Sequence, residues 1–396
     1  MSLLGCYANK VKLWHFRPLL LLLALTAPSL IIYAEAKESF YKGKLIDIGT
    51  HRLHIHCTGE GSPTVIFDSG IGGFSLEWAK IQKKLTKNNL KVCSYDRAGY
   101  GWSDSGPKPR TTVRITKELK TLLTQANIPS PYFLVGHSFG GYNVRYFASE
   151  YPKLTAGLIL IDSSHPLQFN TVEFKKIKPT KRINSFRINI IKPIIADNYP
   201  EQNKRVAYML MSTNKSKRTL MDELESMEIS AIQLVERSNH KAYNLPVTLI
   251  THGKRTWPND KLGDRREQQW TKLQYDLENI SDNTTHYFAY KSGHTIHLDE
   301  PKLVTDKILS AIIKSRSRVI KNELRKIFSN NLVTYSIISS FNMIELVDHS
   351  LISDLNREIV LKKHISQTEW LNNSLLSRQF DIKKINRLNE TSVFYQ

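Results

Sequence analysis

Gly136-His137-Ser138-Phe139-Gly140 is a G-x-S-x-G pattern, and Gly141 extends it. A serine hydroxyl is a weak nucleophile, so it does chemistry only where a turn exposes it and a base takes its proton. Glycines on both flanks remove the side chains that would collide at a sharp strand-to-helix turn. Residues 132–135 before the pattern read as a strand and residues 140–150 after it as a helix. That context makes a common pattern into a nucleophile elbow with Ser138 at its tip. The expected base is His294, in Ser292-Gly293-His294 after the last strand-like run, with His297 three residues on as its rival. His137, His165 and His252 lie within or just beyond strand ends and are expected to be structural. A serine–histidine pair supports acyl transfer through a covalent acyl-enzyme, and the oxyanion of the tetrahedral intermediates on either side of it needs two backbone N–H groups aimed at one point. The expected donors are Phe139, in the first turn of the helix, and Ile71, within the glycine-rich Ser69-Gly70-Ile71-Gly72-Gly73.

The elements that must position these residues are legible as alternating patterns. Strand-like runs occur at 44–48, 51–56, 64–67, 90–95, 132–135, 158–161, 247–250 and 287–290. Helical spacing fills several gaps between them, as in Val113, Leu119, Leu122 and Leu123 over 111–126. Repeated strand–helix alternation predicts a mostly parallel sheet covered on both faces. The first two runs, joined by a tight turn at Gly49-Thr50, predict an antiparallel edge.

Residues 167–244 interrupt the alternation with helical stretches. Between Phe174 and Lys192 this insert carries seven positive charges and no negative one, interleaved with Ile177, Phe186, Ile188, Ile190 and Ile191. Such a stretch is either a solvated helix face or a surface that rests on anionic membrane. The last 82 residues contain neither glycine nor proline and predict a helical extension without a chemical motif.

The 396 residues carry 56 Lys+Arg against 36 Asp+Glu, a net charge of +20. That excess attracts anionic partners in general, but no nucleic-acid-binding motif accompanies it, and none is expected. Three cysteines exclude a disulfide-built scaffold and a cysteine-rich zinc module; no metal or cofactor is expected. Lys10, Lys12 and Arg17 precede an uncharged run over 18–34, followed by Ala34-Glu35-Ala36. This is the pattern of an export signal or a membrane anchor over residues 1–36. The expected location is therefore periplasmic, secreted or membrane-anchored.

Taken with Asp96-Arg97-Ala98-Gly99-Tyr100-Gly101-Trp102-Ser103, these motifs resemble the α/β-hydrolase-fold serine hydrolases of the esterase/lipase-like type. The resemblance implies an eight-stranded α/β-hydrolase core over 37–166 and 245–315, a helical cap over 167–244, and an unassigned extension over 316–396. It also implies a triad acid, usually found after the seventh strand in a Gly-x-x-Asp pattern. Here that stretch reads Thr251-His252-Gly253-Lys254-Arg255-Thr256, with threonine in the aspartate's place. Some members carry the acid after the sixth strand, and Asp162 stands there, 24 residues beyond Ser138. Asp162 is the expected acid and Asp260 the alternative. The Asp96-Arg97 stretch is expected to be architectural. Cys57 and Cys93 fall on neighbouring strands of that fold, where they either pair after export or stay as buried thiols. The implied function is hydrolysis of a small-molecule or lipid-like carboxylic ester, with a non-catalytic binding or membrane-surface member of the fold as the alternative. Serine at the elbow argues against the dehalogenase and epoxide-hydrolase chemistries, which in this fold use aspartate there.

Overall fold

The computed structural model describes residues 42–170, 195–238 and 243–327. The apolar N-terminal run, the basic stretch 174–192 and the segment beyond 327 lie outside the described residues. Among the described residues, no helix is long and apolar enough to cross a membrane.

Eight strands form one sheet: β1 (Lys44–Asp47), β2 (Arg52–Thr58), β3 (Thr64–Asp68), β4 (Val92–Tyr95), β5 (Tyr132–His137), β6 (Thr155–Ile161), β7 (Val247–His252) and β8 (Thr284–Ala289). Their spatial order is β1-β2-β4-β3-β5-β6-β7-β8. β2 runs antiparallel to both β1 and β4, and every other pairing is parallel. Each of the eight sequence runs holds a strand. β6 and β8 each start three residues before their apolar runs, at Thr155 and Thr284, and β8 stops at Ala289, leaving Tyr290 exposed. Thr284 and Thr285 pair with Val247 and Thr248, so backbone pairing with β7 extends the strand beyond its apolar end.

Side chains alternate between the two faces of a strand, so a sheet covered on both faces needs apolar residues at every position. Ile66, Leu134, Leu158, Leu160 and Leu249 point to one core; Val65, Phe67, Phe133, Val135, Ile159, Ile161 and Ile250 point to the other. The first face is covered by α2 (Thr112–Gln125) and α3 (Gly140–Glu150), through Leu119, Leu122, Val144 and Phe147. The second is covered by α1 (Ala79–Leu85), which a short 3-10 turn over Ser75–Trp78 introduces, and by a long C-terminal helix, Pro301–Ile327. Trp78, Ile81 and Leu85 pack there with Val304, Ile308 and Ile312. Burying each such side chain contributes about 1.5–3 kcal/mol, which is why these elements hold together.

Among the described residues the insert supplies α4 (Glu201–Met211) and α5 (Asn214–Ser238). α6 (Lys261–Asp276) follows β7, and the short α7 (Ile296–Asp299) follows β8. The C-terminal helix, α8, runs through position 316, so the boundary drawn there from composition falls inside a helix. Loss of glycine and proline marks the absence of breakers, not the place where a helix ends. Cys57 and Cys93 face one another across β2 and β4 and are joined as a disulfide.

Candidate active site

β5 delivers Ser138 to the C-terminal edge of the sheet, and α3 begins two residues later. Ser138 has φ 50°, in the left-handed region that non-glycine residues rarely occupy. The turn is held from both sides: Ser138 N–H donates to Ile161 O, and Ser138 O accepts from the N–H groups of Gly141 and Ser164. Gly140 has to be glycine, because a Cβ there would press on the Asp68 and Ser69 carbonyls. The elbow is thus wedged between the ends of β3 and β6.

His294 lies in the loop between β8 and α7. Its carbonyl accepts a hydrogen bond from His137 Nε2 at 2.9 Å, and the neighbouring Gly293 N–H donates to Asp299 Oδ2 at 2.9 Å. The Trp270 indole meets the His294 ring edge-on, with centroids 5.8 Å apart. His294 Nδ1 is 2.6 Å from Asp162 Oδ2, which leaves Nε2 as the nitrogen able to serve a nucleophile. Ser138 and His294 line one cavity of about 490 Å³, walled largely by apolar residues from the cap and the loops, among them Phe169, Met211, Met227, Trp257 and Leu298.

Asp162 follows β6 directly and is fully buried, with φ 42°. Its Oδ1 accepts from Trp270 Nε1 at 3.0 Å and from the His252 N–H at 3.3 Å. Its Oδ2 accepts from His294 Nδ1 and, at 2.7 Å, from His252 Nδ1. Burial alone would push this carboxyl up; the hydrogen bonds from His252 and His294 outweigh it and hold the carboxyl below the usual carboxylate range. Asp260 is elsewhere engaged. It caps the N-terminus of α6, accepting from the Gly263 N–H at 2.7 Å.

The other histidines also have places. His297 is buried and stacks on Trp78, with centroids 4.4 Å apart. Burial, reinforced by the neighbouring His297 and His294, pushes the His137 imidazole well below its ordinary range. His165 Nδ1 accepts from the Leu167 N–H, and burial pushes that ring down to about 3. His252, expected to be structural, sits on the carboxylate of Asp162 itself. Glu77, His137 and His297 bring potential ligand atoms within 4.8 Å of one another. A tetrahedral zinc ion with bonds of about 2.0–2.1 Å holds its ligands about 3.4 Å apart, so this group would have to contract to hold one. Glu77 Oε1 already faces His297 Nε2 at 3.6 Å, as a carboxylate–imidazole pair.

Ile71 and Phe139 flank the serine, and neither N–H has a partner among the described residues. A Cβ on Gly70 would meet His137 Nδ1 at 2.9 Å and Ser138 Cβ at 3.2 Å, so the loop reaches the elbow only because residue 70 is glycine. Arg97 pins that loop. Its guanidinium donates to Ser69 O at 2.5 Å, Gly70 O at 2.7 Å and Asp68 Oδ1 at 2.8 Å. It also forms two bonds to Glu223 of α5, at 2.8 and 2.9 Å. Asp96 holds the next turn, accepting from the Ser75 and Trp102 N–H groups and pairing with His54 at 2.9 Å. The Asp96-Arg97 stretch is architectural, as expected, but Arg97 also locks the cap to the loop that carries Ile71. Only the residue type hinted at this: an arginine just after a strand end, whose adjacent Asp96 is not its partner and whose carboxylates come from Asp68 and Glu223.

The sheet order, the elbow and the placement of the loops decide the fold. The chain is an α/β-hydrolase-fold protein. The family model described as alpha/beta hydrolase fold matches residues 63–182. YqjL of Bacillus subtilis, itself uncharacterized, is 24% identical over 249 residues, which are 63% of this chain and 83% of YqjL. The chain spans only 53% and 20% of two other curated relatives. Among solved structures, the Acinetobacter baumannii protein lip1, named a lipase, is 19% identical. Its TM-score is 0.55 over 73% of this chain and 97% of its own. A Pseudomonas aeruginosa protein named an epoxide hydrolase is 13% identical, with a TM-score of 0.58 over 70% of this chain and 97% of its own. The α/β-hydrolase fold favours a hydrolase. These structural likenesses share the fold while their names differ, so the choice of reaction rests on the site.

Proposed function

We propose that this α/β-hydrolase-fold protein is a serine hydrolase that cleaves a carboxylic ester or a similar acyl bond. The observation that carries the reading is one buried carboxylate oxygen, on Asp162, 2.6 Å from Nδ1 of a histidine that lines the cavity with Ser138. In this reading Ser138 Oγ attacks the acyl carbon while His294 Nε2 takes its proton. Asp162 fixes the tautomer and stabilises the imidazolium that forms. The Ile71 and Phe139 N–H groups receive the developing oxyanion. His294 then gives its proton to the departing alcohol, which leaves the acyl group on Ser138. Water, deprotonated by the same histidine, attacks that acyl-enzyme and frees the acid. Serine at the elbow supports this over epoxide opening, for which the fold uses an aspartate nucleophile.

The apolar wall of the cavity supports a substrate with a hydrocarbon portion, lipid-like esters included. An exported or membrane-anchored location is supported by the basic flank and apolar run of residues 1–36 and by the Cys57–Cys93 bond, which belongs in an oxidising compartment. The basic stretch 174–192 supports an anionic membrane surface as a partner. The test is labelling with a fluorophosphonate probe, followed by an ester series of increasing acyl length. Ser138→Ala should abolish both labelling and hydrolysis while the circular dichroism spectrum stays unchanged. Labelling that persists in that variant, or wild-type protein that neither labels nor hydrolyses any ester, would favour the non-catalytic alternative.

A further inference from the structure

Asp162 serves two histidines, and the second has a carboxylate on its other side. His252, the last residue of β7, places Nδ1 2.7 Å from Asp162 Oδ2 and Nε2 3.2 Å from Glu267 Oε2 on α6. Glu267 Oε1 in turn accepts from the backbone N–H groups of Thr256 and Trp257, two residues of the cavity wall. Backbone donors favour the ionised carboxylate. An ionised carboxylate only accepts, so a ring lying between two of them carries a proton on each nitrogen.

We propose that His252 is a positioning residue, held as an imidazolium between Asp162 and Glu267, that draws on the oxygen used by His294 and so keeps His294 free of its proton to lower pH. The proposal rests on the triad reading above. The ionisable groups facing the His252 ring are Asp162 at the end of β6 and Glu267 on α6, with His294 beyond Asp162 on the loop after β8. Trp257 stands beside the ring, with centroids 6.2 Å apart. The His252 side chain is 4% exposed, so solvent screens these charges little. Burial pushes its pKa down, but the hydrogen bonds and charges of Asp162 and Glu267 outweigh that and raise it. Two imidazoliums cannot share one carboxylate as well as one can, because the second meets the first's charge across a neutralised partner. With His252 already charged, protonating His294 brings a second positive charge onto Asp162 and is disfavoured.

The test uses the full chain and His252→Asn, which keeps an N–H donor near Asp162 and cannot charge. The pH at which the His294 ring titrates, followed by nuclear magnetic resonance, should rise by about one unit in the variant, since a nearby cation no longer opposes its protonation. The acid limb of kcat/KM on a soluble ester should move the same way. Well below the midpoint of the wild-type acid limb the variant should lose roughly tenfold, while above about pH 8 it stays within about threefold of wild type. An unmoved titration and an unmoved limb would show that His252 only fills space, and overturn the proposal. If His252→Asn does not fold, Glu267→Gln decides: the His252 ring should then titrate about one unit lower, and an unchanged midpoint refutes the charged array. A wild-type chain without ester activity would sink the functional reading, whereas the ring titrations still judge the array.

Discussion

Asp162 accepts from two imidazoles and an indole, which is more than orienting one histidine requires. Its folded pKa lies below the ordinary carboxylate value of about 3.9, so it stabilises the fold above that pH, and the contribution is lost as pH falls through the folded value. The carboxylate is therefore ionised wherever His294 works as a base. Asp162→Asn should slow ester turnover by on the order of 10⁴, the cost of losing the acid that fixes the tautomer. Asp260→Asn should leave turnover near wild type, because asparagine caps a helix about as well as aspartate does. Rates of both folded variants on one ester give the answer; a large loss confined to Asp260→Asn would move the acid to the loop after β7. Ser138 and His294 were legible because the elbow and the Ser292-Gly293-His294 loop are local patterns. Trp270, His252 and Glu267 were not. Trp270 and His252 meet Asp162 across 108 and 90 residues of chain, and Glu267 meets His252 across 15, contacts that only the adjacency of β6 and β7 and the packing of α6 create.

At the scale of elements, the cap and the core meet at a buried ion cluster. Arg97, 2% exposed, lies between Asp68 at the end of β3 and Glu223 of α5, both fully buried. The Tyr100 hydroxyl joins them, donating to Glu223 at 3.0 Å and accepting from the Gly72 N–H. Removing one member of such a cluster strands a buried charge. Glu223→Ala should therefore lower the free energy of unfolding by about 3–5 kcal/mol, read from urea titration. A loss below about 1 kcal/mol would mean that Asp68 and the loop carbonyls satisfy Arg97 unaided. The insert was legible as helical stretches, but a glutamate within a charged helix reads as solvated. Its burial depends on where the helix lands, and nothing in its own stretch of sequence specifies that.

At the scale of the whole molecule, the disulfide and the sheet order act together. Replacing Cys57 and Cys93 by serine should lower stability by about 2–4 kcal/mol, visible in thermal melts. Mass spectrometry of alkylated, unreduced protein from its native location should find both cysteines blocked to alkylation; two free thiols would remove the support for export. The eight strands were legible from their apolar runs, and the parallel sheet from their alternation with helices. The cysteine bond stayed undecided, because thiol and disulfide both suit a buried strand position. The sheet has a further property, which concerns the history of each chain. β1, β2, β4 and β3 occupy one half of the sheet and β5 to β8 the other, so spatial halves coincide with the first and second parts of the polypeptide. A ribosome makes the first half, with both of the bonded cysteines, before it makes β5. The bond can thus close on a half-sheet whose free edge is β3. Ser138 arrives with the strand that docks on that edge, and His294 only after the last strand has been made. In order of synthesis, therefore, the two bonded cysteines come first and the complete triad last.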